Sequence, residues 1–330
     1  MCRKSLNVLS LTGLLILTLL AGPVLAAGED YPTRPVTLNV GYAPGGSASI
    51  SAHIFIGSVQ KYLAKPQSFI INHKPGASGM LGADYFMKQP ADGYNLLWAT
   101  QDYPMRLAIE PQKFFFKKED LLYIGTFGYC PFTLTVNSES PFKTFEEFID
   151  YAKKHPATVT YSTTGIGTAN HITGEILMKQ TGTQLIHVPF IAGNQATLAM
   201  LGGHVTCTVM SAATLTPYIN GGKARVLVVF DTKRFPDIPD VPTCKEKGFD
   251  VPGPAHTYNV MIAKKGTPKP VLDILGKLLR ETANDPVSQA GLSRAGFIPL
   301  YQGPEETMKM VYQDFEIARE VSERLGLTMK

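Results

Sequence analysis

The sequence is short of the features that mark several common protein classes. Four cysteines in 330 residues, Cys2, Cys130, Cys207 and Cys244, are too few for a disulfide-dense scaffold. Charge of one sign is scarce as well: 31 basic residues against 27 acidic leave a formal charge of +4, too neutral for a nucleic-acid surface. After residue 26 no apolar run is long enough to cross a bilayer. No Gly-Lys-Ser or Gly-Lys-Thr completes a Walker loop, no HExxH pattern occurs, and neither a fixed-period repeat nor a low-complexity tract is found.

What is present points to an exported globular chain. Residues 1–26 carry Arg3 and Lys4, run apolar through "LLILTLLAG" and end in Val24-Leu25-Ala26, the pattern of a secretory signal cleaved about Ala26. An uncleaved anchor is the alternative, but the run is short for a span. Cys2 sits at the wrong end to be lipidated. Cleavage would remove Arg3 and Lys4 and leave 29 basic residues against 27 acidic, with three cysteines able to form one bridge at most. The expected location is periplasmic. With 44% hydrophobic and 18% charged residues the chain can bury a real core and divides into two domains.

From Val36 onward strand and helix patterns alternate: strand 36–40, helix 49–63, strand 69–72, helix 79–89, an Asp92-Gly93 turn and strand 95–99. That order implies an open, largely parallel sheet covered by helices. A second series follows. It has a helix at 144–154 with a Thr144/Glu147 capping box, strand 159–161, helix 168–179, strand 185–188, helix 194–201, and strands 204–209 and 225–230. Two Pro-rich crossings, at Cys130-Pro131 and over 251–256, bracket it. One strand at 258–263 and three helices then close the chain; Thr267-Pro268 reads as the cap and first turn of the first, and the last covers 304–325. The predicted boundaries are a signal peptide over 1–26, a discontinuous domain over 27–130 and 254–330, and an inserted domain over 131–253.

Three Gly-rich loops sit where strands give way to helices: "YAPGGSAS" at 42–49, "KPGASGM" at 74–80 and "TTGIGTAN" at 163–170. Each offers unpaired amides at a helix start, small side chains and hydroxyls, so each can hold an anion. The third is not a dinucleotide loop, since Asn170 takes the third glycine's place and "PFIAGN" downstream has no acid for a ribose. Ser78 lacks the Gly-x-Ser-x-Gly elbow because Met80 stands at the last glycine, so it reads as a hydrogen-bond donor. The seven histidines are scattered, with His171 and Glu175 one turn apart, and read as capping or packing groups. Phe114-Phe115-Phe116 reads as core plus a solvated rim, and Asp102 as the cap of the helix after it in preference to a ligand contact. No catalytic residue, metal or cofactor is expected.

With these loops in view the chain resembles the periplasmic solute-binding proteins of tripartite tricarboxylate transporters, the Bug family, over essentially all of 31–327. The likeness lies in "YPTRPVTLNVGYAPGGSAS", "NHKPGASGMLGADYFMKQPADGYNLL", "YSTTGIGTANHITGEIL", "HVPF", "MLGGHV", "PYINGGKARVLVV", "FPDIPDVPTCKEKGF" and "KKGTPKPVLDILGKLLRETANDP", in the family's order. It implies an α/β, two-domain Venus-flytrap fold of type II-like character, each domain a mixed, mostly parallel sheet flanked by helices, joined by two crossover hinges. It also implies a non-enzymatic receptor that binds a small organic carboxylate, works as a monomer and serves integral membrane subunits. Carried over by position, the ligand would meet Ala43, Gly45, Gly46 and Ser47, then Ala77, Ser78 and Gly79, then Thr164, Gly165, Gly167 and Thr168. Tyr42, Ser49, Gln101, Asp102, Asn170, Phe190 and Met210 complete the candidate site.

Three departures matter. Ser49 stands where the family usually has an acid, Ile191 lies near its usual lysine, and Met210 stands where it often has an aspartate. Loss of charge there points to a monocarboxylate or an acid with an apolar or aromatic tail, in preference to citrate or an amino acid. Competing readings are a ligand sensor with a signalling partner and, less favoured, an exported serine hydrolase using Ser78 or Ser211.

Overall fold

Short apolar runs near the start of the chain form three parallel strands: β1 (Val36–Val40), β2 (Phe69–His73) and β3 (Asn95–Ala99), ordered β2-β1-β3. Helices α1 (Ser47–Val59), α2 (Met80–Met87) and α3 (Asp102–Ile109) follow them in turn. The computed structural model describes residues 30–249, 255–324 and 326. The signal segment over 1–26 and the crossing at Pro252 and Pro254 lie outside the described residues.

At Cys130-Pro131, where the sequence places a crossing, the chain is a continuous strand. β4 (Leu121–Asn137) runs unbroken through both sheets, pairing with β9 (His256–Lys264) along its first part and with β7 (Cys207–Ser211) and β8 (Ala224–Phe230) along its second. The handover falls between Pro131, opposite His256, and Phe132, opposite Ser211 and Phe230. Pro131 has no N–H to give, and its place is where pairing changes partners. Gly125, Gly128 and Pro131 hide the strand from a reading by pattern; the register shifts between Tyr123 and Gly125 and between Thr126 and Tyr129.

All four β4 and β9 pairings are antiparallel, while β1–β2, β1–β3, β5–β6 and β5–β7 are parallel, with β5 at Thr160–Thr163 and β6 at Ile186–Pro189. Each lobe therefore has a mixed sheet, parallel outside and antiparallel towards the shared strands.

In the second lobe the helices are α4 (Phe145–Lys154), α5 (Ala169–Thr181), α6 (Gly193–Leu201) and α7 (Ala212–Asn220). α4 starts where the capping box requires: the Thr144 hydroxyl accepts from Glu147 N at 3.2 Å and Glu147 Oε2 accepts from Thr144 N at 3.2 Å. α7 was not predicted, because Pro217 and its threonines obscure the helical pattern. The closing helices are α8 (Lys269–Ala283), α9 (Pro286–Arg294) and α10 (Pro304–Arg324). The Thr267-Pro268 cap is corrected: α8 begins at Lys269, and the Thr267 hydroxyl donates to Lys264 O at 2.7 Å, so it closes the preceding turn. Asp285 is the side-chain cap in this region, accepting from Val287 N and Ser288 N at the start of α9.

The first lobe's core centres on an aromatic knot. Trp98, the sole tryptophan, lies 5.0 Å from Phe55 and 5.4 Å from Phe127 between ring centroids, and its indole N–H donates to Ser51 Oγ at 2.9 Å. The second core gathers Leu134, Phe148, Tyr161, Ile172 and Val209, and takes in Met105 of α3 and Ala318 of α10. Since Val311 belongs to the first core, α10 is packed into both. Of the aromatic triplet, Phe116 is buried and Phe115 exposed, as core plus rim requires.

Because the knot sits beside the strand that both lobes share, Phe127→Ala should destabilise the whole chain by about 3–5 kcal/mol. A urea titration followed by tryptophan fluorescence reads this directly; a loss below about 1 kcal/mol would show that the knot is dispensable.

Candidate functional site

Open α/β sheets present their ligand-binding residues at the carboxyl ends of their strands. Here the ends of β1, β3, β5 and β7 converge, and the segments just beyond them enclose a cavity of about 30 Å³ between the lobes, room for roughly two waters. The first lobe lines it with Tyr42, Gly46, Ser47, Ala48, Thr100 and Asp102. Thr164, Asn170, Gly193, Met210, Ser211 and Thr214 face them from the second. Phe132 and Thr257, on the shared strands, complete the lining. Seven of these, Tyr42, Gly46, Ser47, Asp102, Thr164, Asn170 and Met210, are residues singled out in the sequence.

Of the helices that start on this space without a side-chain cap, α1 and α6 begin at or just after a lining glycine, whereas in α7 the Ala213 amide is taken by the Cys130 sulfur. α1 begins after Gly46, whose extended backbone supplies no side-chain cap, so the amides of its first turn have no helical partner. α6 likewise begins after Ala192 without a side-chain cap, and its first residue, Gly193, lines the cavity. A Cβ at Gly193 would lie 2.6 Å from the Met210 methyl, so a side chain there would push aside the end of Met210.

The loop at 163–170 behaves differently, because its amides are already taken. Gly165 N donates to the Thr163 hydroxyl at 3.1 Å, Gly167 N to His171 Nδ1 at 3.2 Å, and Thr168 N to Gly165 O at 3.5 Å. Its two glycines answer to the other lobe: a Cβ on Gly165 would stand 2.5 Å from Ser78 Oγ, and one on Gly167 2.7 Å from the Arg106 guanidinium. Gly165 and Gly167 also hold φ of +129° and +74°, which other residues resist. Thr164 and Thr168 both donate to Asn170 Oδ1, at 3.1 and 2.6 Å, and Asn170 Nδ2 donates to Val209 O at 3.0 Å. Asn170 is thus held rigid at the cavity wall.

Asp102 corrects an expectation. It is the first residue of α3, yet its carboxylate leaves that helix and crosses to the opposing lobe, where Oδ1 accepts from Ala169 N at the start of α5 at 2.7 Å. Oδ2 accepts from Tyr42 OH at 2.5 Å and from the Thr100 hydroxyl at 3.0 Å. Burial pushes its pKa up, opposed by Tyr42, the Ala169 amide, Thr100 and the nearby Arg106. Arg106 Nη1 and the Ser78 hydroxyl donate to Ile166 O, at 2.8 and 3.3 Å, so three polar links cross from the first lobe to residues 166–169.

Other predicted residues stand behind or beside the cavity. Gly79 packs against the Tyr42 ring, and a Cβ there would lie 3.0 Å from it. Ala77 and Ser78 hold positive φ of 48° and 54° in the turn that presents Ser78 to Ile166. Gly45 faces the Asn194 side chain of the opposing lobe, and Ala43 flanks the turn before α1. Gln101 points away: its amide nitrogen donates to His256 O and its oxygen accepts from Tyr258 N, tying α3 to β9. Ser49 lies on α1 with its hydroxyl 3.5 Å from His73 Nε2, and Phe190 donates its backbone N–H to Thr163 O at 3.0 Å. Sequence reasoning missed Thr100, Phe132, Gly193, Thr214 and Thr257; Ala48 falls within the 42–49 loop, and Ser211 is named there only as a hydrolase serine. Gly193 alone carried a signal, as a glycine where a strand gives way to a helix.

Among the described residues no group of three or more His, Cys, Asp and Glu side chains could hold a metal. Cys130, Cys207 and Cys244 are buried free thiols, and burial pushes Cys130 and Cys244 up to about 12.

Two mixed sheets joined by paired strands, with uncapped helix starts facing one another across a closed cleft, define a two-lobed binding protein. The chain belongs to the tripartite tricarboxylate transporter receptor family and is a solute-binding receptor of that class: residues 55–327 match the TctC family, described as "Tripartite tricarboxylate transporter family receptor". It is 31% identical over 316 residues to the Cupriavidus necator "UPF0065 protein in gbd 5'region", covering 94% of this chain and 93% of that one. The periplasmic binding protein BugD shares the fold with a TM-score of 0.83 and 28% identity, over 91% of this chain and 100% of its own. A third structure, "R. palustris Rpa4515 with adipate", is alike in fold with a TM-score of 0.84 and 24% identity, over 90% and 99%.

Behind the 163–170 loop, His171 and His187 stack with ring centroids 4.2 Å apart. Burial first, then His187 and Arg106, push His171 down to about 3; burial pushes His187 down to about 4. The unfolded chain takes up these protons below about pH 6.5 while the fold refuses them until pH 3–4, so stability is lost as pH falls through that window. Each ring costs up to ~1.4 kcal/mol per pH unit there. The urea midpoint should therefore drop more steeply between about pH 7 and pH 5 in the native chain than in His187→Gln. Equal slopes would contradict this origin.

Proposed function

We propose that the chain captures a small organic carboxylate between its lobes and delivers it to integral membrane subunits of a tripartite tricarboxylate-type transporter. The observation that carries this is the pair of uncapped helix starts, at Gly46–Ala48 and Gly193, opening from opposite lobes on one cavity that no Lys, Arg or His lines. Helix starts bind anions through aligned amides and the positive end of the dipole, with no cationic side chain needed. About 3–5 such bonds, at ~1.5–3 kcal/mol each, cover the roughly 8 kcal/mol of a micromolar complex after ordering costs. Adipate bound to Rpa4515, a protein alike in fold, supports the same solute class.

A cavity of about 30 Å³ is far smaller than an organic acid, so the lobes part to admit it and close again around it. On this reading residues 27–130 with 254–330 form one lobe and 131–253 the other, turning about β4 and β9. The ligand meets the candidate residues of both lobes, with Gly46, Ser47 and Asn170 foremost. The protein is exported, loses its signal about Ala26, acts in the periplasm as a monomer and catalyses no reaction. Neither candidate serine favours hydrolysis: the Ser78 hydroxyl donates to a backbone carbonyl and that of Ser211 pairs with Thr214.

Ser47 provides a test that spares the fold. It is the first residue of α1, where proline is tolerated, and Gly46 before it is extended (φ −81°, ψ 166°), as a residue preceding proline must be. Ser47→Pro deletes one amide donor and one hydroxyl, and should weaken carboxylate binding by about 10- to 100-fold in calorimetry with an unchanged melting temperature. Undiminished affinity would remove α1 from the site. Turnover of simple esters by the purified protein would refute the receptor reading.

A further inference from the structure

An oxyanion already bridges the two lobes in this structure, and it belongs to the chain. The Asp102 carboxylate is held on the first lobe by Tyr42 OH and the Thr100 hydroxyl and takes the first amide of α5, Ala169 N, on the second. Asp102, Tyr42 and Thr100 all line the cavity, and Asp102 is its one carboxylate among the described residues. With the amides of Gly165, Gly167 and Thr168 satisfied within their own loop, the 163–170 segment has handed its anion position to Asp102. The donors left to a solute carboxylate from the first lobe are those at the start of α1.

Given the carboxylate reading above, we propose that Asp102 is the residue that sets solute selectivity, restricting the cleft to acids with a single ionised carboxylate. A solute anchored at Gly46–Ala48 shares the cavity with Asp102, together with Phe132, Met210 and Thr257. A second carboxylate there meets a like charge with little water between them, where repulsion is strong. Arg106, whose charge favours the Asp102 carboxylate, spends Nη1 on Ile166 O and Nη2 on Glu110 and does not line the cavity, so it is not placed to pair with a second carboxylate there. An apolar or hydroxyl-bearing tail meets no such penalty, and a hydroxyl finds an acceptor in Asp102 itself. Discrimination here thus comes from a repulsive element as much as from an attractive one.

Calorimetry with butyrate, succinate and monomethyl succinate on the native chain and on Asp102→Asn tests this. The native chain should bind butyrate and monomethyl succinate at least tenfold more tightly than succinate. Asp102→Asn, which keeps the shape and removes the charge, should narrow that gap at least tenfold, with folding checked by circular dichroism. A native preference for succinate over its monomethyl ester overturns the assignment and leaves the carboxylate reading standing; so does a gap that survives in folded Asp102→Asn. If Asp102→Asn does not fold, the ester comparison on the native chain decides alone. Failure of the native chain to bind any of the three defeats the carboxylate reading, and the selectivity role with it.

Discussion

The antiparallel pairing of β4 with β9 is the constraint on which the rest of the molecule depends. A single strand, β4, passes from one sheet into the other, and its neighbour β9 begins at the level where β4 changes partners. Two adjacent strands resist shear and twist but permit bending, so the lobes can turn on one another while their sheets stay intact. Phe132 and Thr257 sit at that junction and form part of the cavity wall, so the hinge and the binding site share residues. α10, packed into both cores, limits how far the lobes can swing.

Placing the junction there also decides which helix starts meet. The strand ends of each lobe point at the junction, and the segments that follow them face each other at short range. Glycine at 165 and 167 then follows from closeness and not from anion binding, because Ser78 and Arg106 occupy the volume a side chain would need. The physics that makes a loop ready for an oxyanion also lets a neighbouring carboxylate or carbonyl claim it, and in this chain Asp102 and Ile166 O are the groups that engage.

Much of the local structure was legible. Alternation of β-branched runs with helical spacing located nearly every element, and Thr144 with Glu147 fixed the start of α4 to the residue. β4 was not legible, because Gly125, Gly128 and Pro131 read as breaks while its pairing comes from residues some 80–130 positions away, such as Met210 and His256. α7 was lost to Pro217, whose local cost is offset by packing that a single sequence does not display. Glycine turns and hydroxyls marked half of the cavity wall. Thr100, just past the end of β3, and Phe132 and Thr257, on β4 and β9, carried no mark, being ordinary residues made special by where two sheets join. Asp102 was read as a local cap because sequence separation favours near partners, whereas its carboxylate acts across 67 positions.

The interlobe links bear on how a solute can act at all. A ligand shifts an open–closed equilibrium only by the difference between its affinities for the two states. Three links, from Asp102, Arg106 and Ser78, join the lobes directly and not through a solute, so part of the closing free energy is intrinsic to the chain. Such a receptor needs less from its ligand to close, and it also pays for binding by first reopening. The two effects oppose one another: stronger links favour the closed form and weaken apparent affinity by the fraction of time the cleft is shut. A balance near equality serves a receptor best, and polar contacts of ordinary length are the kind of links that can supply it.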